Sequence, residues 1–329
     1  MVIRNWAIIG PGNIARDFTK DLALVSPLQR VCAVVGHQQE SVNEFAEEFG
    51  VEKRYVEFSR FLEESPADAV YIATPHPQHF EQALQSLQKR LAVLCEKPMT
   101  INATQSRQLI DTAVQFDSFL MEGMWIRFLP SIRQVVSIIS EGLIGDVITI
   151  KASMGYKAPK EPDSRYFDPA LGGGSLLDLG IYPVFLACLL LGKPASIMAK
   201  GVLSDKGVDE SCTIKLQYSS GQKALLESTL LAQPDTPAEI IGEKGTVRIL
   251  HPWFEKAAGI EVQLHGQGKI IYPCRWEGHG LQFETQEVVN CVEQNKIESN
   301  LMSHVFSLEV MEILDEIRQQ LNVTYDLYE

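Results

Sequence analysis

The stretch Trp6-Ala7-Ile8-Ile9-Gly10-Pro11-Gly12-Asn13-Ile14-Ala15 constrains the chain more than any other. A short apolar strand runs into a G-x-G-x-x-A turn, and residues 14–24 then carry apolar side chains at helical spacing. Alone, such a glycine pattern is a weak signal. Between a strand and a helix, inside a βαβ unit, it is the phosphate-binding turn of a Rossmann fold. Gly10 permits the tight turn, Gly12 lets the backbone approach a pyrophosphate, and Ala15 is small enough for close helix–strand packing. Asn13 and Ile14 open the helix whose first N–H groups would face that anion.

The pattern that follows agrees. Strand-like runs at residues 30–35, 69–73, 92–95 and 119–121 alternate with helical spacing at 41–49, 77–87 and 103–116. Such alternation predicts a doubly wound parallel sheet covered on both faces. After residue 122 the rhythm changes. Helical spacing at 130–141 and 175–191 is interspersed with longer strand-like runs at 147–154, 196–203, 211–218, 222–231 and 245–250, and the chain closes on helical stretches at 282–293 and 302–321. The expected fold class is α/β, with a Rossmann domain at residues 1–122 and an α+β domain built on an open, largely antiparallel sheet at residues 123–329. A broad sheet with one uncovered face predicts a homodimer or higher homo-oligomer formed through that sheet.

Composition excludes several classes. The net charge of -13 over 329 residues argues against nucleic acid or an anionic membrane surface as partner. It leaves room for an anionic cofactor, which backbone N–H groups bind locally. Six well-separated cysteines without a C-x-x-C pair predict reduced thiols and no metal site. The residues before the glycine turn leave no room for a signal peptide, and the apolar run at 181–191 contains Pro183 and is short for a membrane span, so a soluble, cytoplasmic protein is expected.

Three strand ends carry candidate chemistry. At the second strand the residues are Gly36-His37-Gln38-Gln39. An acid there would bind the ribose 2′-OH of NAD, and a basic residue the 2′-phosphate of NADP. The missing acid points to NADP, with NAD the alternative. Next comes Ala73-Thr74-Pro75-His76-Pro77-Gln78-His79, leaving the carboxyl end of a strand where ligands bind. Two readings of His76 and His79 stay open, contact with nicotinamide or substrate and capping of the following helix. The third end is Cys95-Glu96-Lys97-Pro98. A lysine here faces the crevice beside the place for nicotinamide and suits proton transfer at a carbinol, and the peptide before Pro98 is a candidate for the cis form.

Glu96-Lys97-Pro98, taken with residues 172–182 (Gly-Gly-Gly-Ser-Leu-Leu-Asp-Leu-Gly-Ile-Tyr), resembles the Gfo/Idh/MocA oxidoreductase family over essentially the whole chain, including the Gln282-Phe283-Glu284 entry to a late helix. Within it, His76 to His79 and Met121 to Phe128 are most similar to the dihydrodiol dehydrogenase group. The resemblance implies a Rossmann domain joined to a substrate and oligomerisation domain, NADP as cofactor, and Lys97 with Tyr182 as the catalytic pair. Many members carry His in place of Tyr182, and NADP-using members carry Arg in place of His37.

The helix after the glycine run can also be read directly. Asp178 and Tyr182 are four positions apart and share a helical face, while Ser175-x-x-Asp178 matches a capping box, so Asp178 has two roles that can coexist, helix cap and catalytic partner. Either Lys97 or Tyr182 can be the immediate proton donor. Trp125 and Phe128 form a candidate aromatic wall for substrate, as do Tyr156, Phe167, Trp253 and Phe254. Arg127 and Arg165 have two readings, an oxygen-binding role and a structural ion pair.

The expected function is NAD(P)-dependent hydride transfer at a CH–OH group of a sugar, polyol or cyclic diol. Two other classes compete, an NAD-dependent glycoside hydrolase that oxidises its substrate transiently, and a non-catalytic dinucleotide sensor.

Overall fold

A computed structural model describes residues 2–64, 67–161 and 164–328. In chain order, β1 (Asn5–Ile9), α1 (Asn13–Val25), β2 (Arg30–Val35), α2 (Gln39–Phe49), β3 (Lys53–Tyr55), α3 (Phe58–Glu64), β4 (Ala69–Ile72), α4 (His76–Gln88), β5 (Ala92–Glu96), α5 (Ala103–Phe116) and β6 (Leu120–Gly123) come first. Then follow α6 (Pro130–Ser140), β7 (Val147–Gly155), α7 (Ile181–Leu191), β8 (Ser196–Leu203), β9 (Asp209–Gln217), β10 (Lys223–Thr229), β11 (Ala238–Gly242), β12 (Gly245–Ile249), β13 (Ile260–Leu264) and β14 (Lys269–Tyr272). Two helices close the chain, α8 (Leu281–Glu293) and α9 (His304–Leu321).

These elements form two compact units. The first comprises residues 1–127 and 277–308, and the second residues 128–276 and 309–329. The division departs from a single boundary at 122/123, because the segment holding α8 returns to the first unit.

In that unit six parallel strands lie in the order β3-β2-β1-β4-β5-β6. The central strands are apolar throughout because helices cover both faces, and all of Ala69–Ile72 is buried. Strand order reverses between β1 and β4, which opens a crevice at their carboxyl ends.

The second unit is an eight-stranded sheet ordered β14-β13-β12-β11-β7-β10-β9-β8, antiparallel except for β7 with β10. Its alternation is plain in β10, where Ala224, Leu226 and Ser228 are buried while Lys223, Leu225 and Glu227 are exposed. The strongly apolar α7 covers the buried face, packing on β7 and β10. The helical run from Pro169 to Leu191 is long and apolar enough to cross a membrane, and 78% of its most apolar window is buried in the protein, as in a core helix.

The start of the segment 277–308 is fixed to the first unit by one carboxylate. Asp21 lies on the buried face of α1 with Ala15, Phe18 and Leu22. It accepts the N–H groups of His279, Gly280 and Leu281 at 2.9–3.0 Å, and the His279 ring at 3.0 Å. These are the orphan donors at the start of α8, whose positive dipole end favours a negative charge. Asp21→Ala should therefore lower unfolding stability by about 2–4 kcal/mol. Denaturant titration of both proteins measures it; an unchanged midpoint would remove Asp21 from this role.

Candidate active site

The first unit presents an anion cradle. Gly10 has φ +94, and a Cβ there would lie 2.8 Å from the backbone of Ala73 and Thr74, so no other residue fits between the β1 and β4 turns. Gly12 is the N-cap of α1, makes no side-chain cap, and faces open space, with nothing within 4 Å of a Cβ built on it. Asn13 and Ile14 follow with no acid in the first turn. A helix start with no side-chain cap and with room above it fits a dinucleotide pyrophosphate. Beside it is a cavity of about 340 Å³ lined by Gly10, Gly12, Gly36, His37, Ser41 and Thr74, among others. Gly36 is needed for closeness, since a Cβ there would lie 2.8 Å from Pro11 Cδ. His37 is exposed at the rim.

At the end of β5 the loop bearing Lys97 is held by its neighbours. The Tyr71 hydroxyl, its ring stacked on Phe18 at 3.9 Å, donates to Glu96, and Glu96 also accepts the Lys97 N–H at 3.3 Å. The Lys97–Pro98 peptide is cis. Beyond it the Met99 N–H donates to buried Glu122 on β6 at 3.0 Å. Burial pushes the Glu122 carboxyl up, against hydrogen bonds from Met99 and Ser307; the neighbouring Glu96 adds to the rise and Lys97 opposes it.

His79, fully enclosed, spans the two strand ends. Its Nδ1 lies 2.8 Å from the Pro98 carbonyl and its Nε2 2.7 Å from that of Thr74. Two carbonyls favour a doubly protonated ring, while burial, the larger effect, lowers its pKa and Lys97 adds to the lowering. Both nitrogens are thus committed to the scaffold, and neither caps α4, whose start at Pro75 has no side-chain cap. This corrects the expectation of a cofactor contact or helix cap at His79. His76 is buried next to it, ring centres 5.8 Å apart.

Trp125 and Arg127 belong to the same unit and Phe128 to the other. Arg127 donates from Nε to the Leu301 carbonyl at 2.8 Å, a bond that ties it to the segment before α9. Phe128 is core and not wall, at 3% exposure.

Glu284, in the first turn of α8, is fully enclosed, and neither carboxyl oxygen has a hydrogen-bond partner among the described residues. Burial first, then the charges of Glu96 and Asp21, push its pKa well above the ordinary carboxylate range and so favour the neutral acid. The folded state therefore keeps a proton that the unfolded chain releases above the ordinary carboxylate range, and stability falls as pH rises through that window. Glu284→Gln removes this cost. Its melting temperature should exceed wild type at pH 8, with the gain fading towards pH 4.5, and equal melting curves at pH 8 would refute the assignment.

In the second unit the glycine run leads to Tyr182. Residues 175–191 do not form one continuous α-helix: Leu176–Gly180 is a π-helical turn, and α7 begins at Ile181. The capping box is absent too. Ser175 makes no cap and donates instead to Asp209 on β9 at 2.6 Å. Asp178 is half-buried within the π turn. Tyr182, 7% exposed, has its ring centre 6.3 Å from that of Phe254. Of the other expected wall residues, Trp253 is core, its indole N–H donating to the Ser153 carbonyl at 2.8 Å, and Tyr156 packs on Tyr166. Arg165 lies over the Tyr166 ring at 4.3 Å.

Sequence reasoning missed four buried acids, Asp21, Glu122, Glu284 and Asp209. Asp21 left a trace by falling on the apolar face of α1 between Phe18 and Leu22, and Glu284 entered only as part of the Gln282-Phe283-Glu284 stretch.

The uncapped glycine turn, the reversal of strand order and the lysine at the end of β5 define a dinucleotide-dependent oxidoreductase. Residues 4–124 match the family described as oxidoreductase family, NAD-binding Rossmann fold, and residues 132–248 the GFO/IDH/MocA C-terminal domain. The chain belongs to the Gfo/Idh/MocA oxidoreductase family. It is 35% identical to a trans-1,2-dihydrobenzene-1,2-diol dehydrogenase of Xenopus tropicalis over 97% of this chain and 98% of that one. In structure it is similar to an aldose-aldose oxidoreductase from Caulobacter crescentus complexed with glycerol, with TM-score 0.87, 23% identity and 97% of each chain covered. It is also similar to a 3-ketoreductase from Actinomadura kijaniata in complex with NADP and TDP-benzene, with TM-score 0.84 and 25% identity over 96% of this chain and 97% of that one.

Proposed function

We propose that this chain is an NADP-preferring dehydrogenase or reductase that acts on a CH–OH or carbonyl carbon of a cyclic diol, sugar or polyol. The observation that carries the reading is the end of β5, where Lys97 follows a strand of the nucleotide-binding sheet and its loop is anchored through Glu96 and Glu122. Bound nicotinamide supplies the hydride acceptor or donor. The carbinol proton needs a separate carrier, and Lys97 and Tyr182 fill that role, with Asp178 as the acid four residues before Tyr182. The named activity of the Xenopus tropicalis relative supports a diol and the aldose-aldose oxidoreductase a sugar.

Preference for NADP is supported by the wall of the cavity at the end of β2. Its described lining residues include His37 and Ser41 and no Asp or Glu to bind a ribose 2′-OH. Titrations should give tighter binding of NADPH than of NADH; the reverse order would overturn that preference. Lys97→Met and Tyr182→Phe should each lower kcat by about 10²–10⁴-fold, the usual worth of a positioned proton carrier. Steady-state rates on a diol and sugar panel measure it, and wild-type kcat in both variants would sink the reading.

The assembly we propose is a homodimer through the open face of the second sheet. One row across all eight strands reads Met198, Lys215, Leu225, Lys151, Glu239, Arg248, Glu261 and Ile271. Met198, Leu225 and Ile271 are exposed there beside both signs of charge, a self-complementary surface. Leu225→Glu should convert the dimer to monomer in sedimentation; a monomeric wild type would refute the proposal. Reduced cysteines and the charge of -13 support a cytoplasmic protein whose partner is a small molecule, neither nucleic acid nor membrane.

A further inference from the structure

Asp209, the first residue of β9, is fully enclosed within the second unit. Its Oδ2 accepts the Ser175 hydroxyl at 2.6 Å and the Leu176 N–H at 2.8 Å. Ser175 Oγ in turn lies 2.9 Å from Ser228 Oγ on β10. Leu176 opens the π turn that carries Asp178 and passes directly into α7, whose second residue is Tyr182. The orphan N–H at this helix start is therefore satisfied from another strand, where the local cap fails.

The geometry leaves little slack. Gly174 has φ +118, and a Cβ on it would lie 2.5 Å from Asp209 Oδ1. The carbonyl of Gly173 accepts the Tyr325 hydroxyl at 2.6 Å, and a Cβ on Gly180 would lie 3.0 Å from Ser228 Oγ. The turn is thus gripped at its entry by Asp209 and Tyr325 and along its length by Ser228.

We propose that Asp209 is a positioning residue for Tyr182: its carboxylate, holding Ser175 and Leu176, sets the rotation of the π turn and so the place of the phenol at the head of α7. The inference rests on the reading of Tyr182 as a proton carrier. A buried Ser or Asn would also cap a helix start, and at lower desolvation cost, so capping alone does not account for a charge here.

The charge also gives the role a signature. Burial raises the Asp209 pKa to about 6, although the Ser175 hydroxyl and the Leu176 N–H both lower it. Facing it are Ser175 and Leu176 at the helix start, Cys212 on its own strand with a thiol that burial keeps neutral, Ser228 on β10, and Tyr325, over whose ring Arg318 lies at 5.1 Å. Below about pH 6 the protonated acid has one acceptor fewer for these donors. Because its folded pKa is raised, this group makes the fold more stable as pH falls from about 6 towards the ordinary carboxylate value. A rate that falls where this group's stability contribution rises marks positioning, not upkeep of the fold.

The test compares wild type, Asp209→Asn and Tyr182→Phe in kcat against pH from 5 to 8.5, alongside NADPH binding titrations. Asp209→Asn should lower kcat at pH 7.5 by about tenfold, the scale of a small misplacement of a reacting group, with NADPH affinity kept and the acid limb near pH 6 gone. Wild-type kcat in Tyr182→Phe would defeat the catalytic reading itself. A slow Tyr182→Phe beside an Asp209→Asn variant of wild-type kcat with its acid limb intact would overturn this inference alone. If Asp209→Asn does not fold, Ser228→Ala replaces it, with a loss in kcat of about two- to fivefold expected at unchanged NADPH affinity; unchanged kcat there overturns the inference.

Discussion

A carboxylate on the first helix holds the start of a helix 260 residues further along the chain, and the nucleotide-binding unit depends on that contact. Asp21 meets three consecutive N–H groups at the start of α8, so it neutralises the positive end of the helix and fixes its entry together. α8 then packs along α1 and against β5, and brings Glu284 under the strand that ends in Lys97. The second unit uses the same device at shorter range, with Asp209 gripping Leu176 across 33 residues. In both cases the cost of burying a charge is offset by backbone donors that would otherwise be orphaned.

The two sheets were legible in the sequence to different depths. Where strands are buried on both faces, as β4 and β5 are, continuous apolar runs marked them clearly. β3 escaped because it has three residues, two of them exposed on the sheet edge. β13 and β14 escaped because alternation in short strands bounded by glycine and charge leaves little contrast. The return of residues 277–308 to the first unit was invisible for a different reason. It rests on long-range pairings, Asp21 with His279 258 residues away and Arg127 with Leu301 among them, and no local pattern reports such contacts.

Placement was legible where the signal is local: the glycine turn leads from β1 into α1, Lys97 follows the end of β5, and Tyr182 comes after the glycine run at the head of α7. It was misread where bonds cross the sheet. Ser175-x-x-Asp178 has the form of a capping box, yet Ser175 turns to Asp209, and a π turn replaces the expected α-helical start. His79 looked like a ligand-binding group because it is polar at a strand end, yet both ring nitrogens face loop carbonyls. Polar residues in an apolar sequence read as surface or ligand contacts, when several are the buried bonds that hold loops in register.

The charges around Lys97 follow from this. Glu96, Glu122 and Glu284 gather near the end of β5, and a low-dielectric interior does not hold three anions against one cation. Glu96 is served by Tyr71 and by the Lys97 N–H, while burial pushes both Glu122 and Glu284 up, towards their neutral forms. Lys97 acts on its surroundings in a consistent sense, favouring the ionised form of Glu122 and the neutral form of His79. When Lys97 loses its charge, both influences relax together, so Glu122 binds a proton more readily and His79 becomes easier to protonate. A lysine proposed to exchange a proton with a carbinol is thereby set among buried groups, Glu122 and His79, whose own protonation follows its charge.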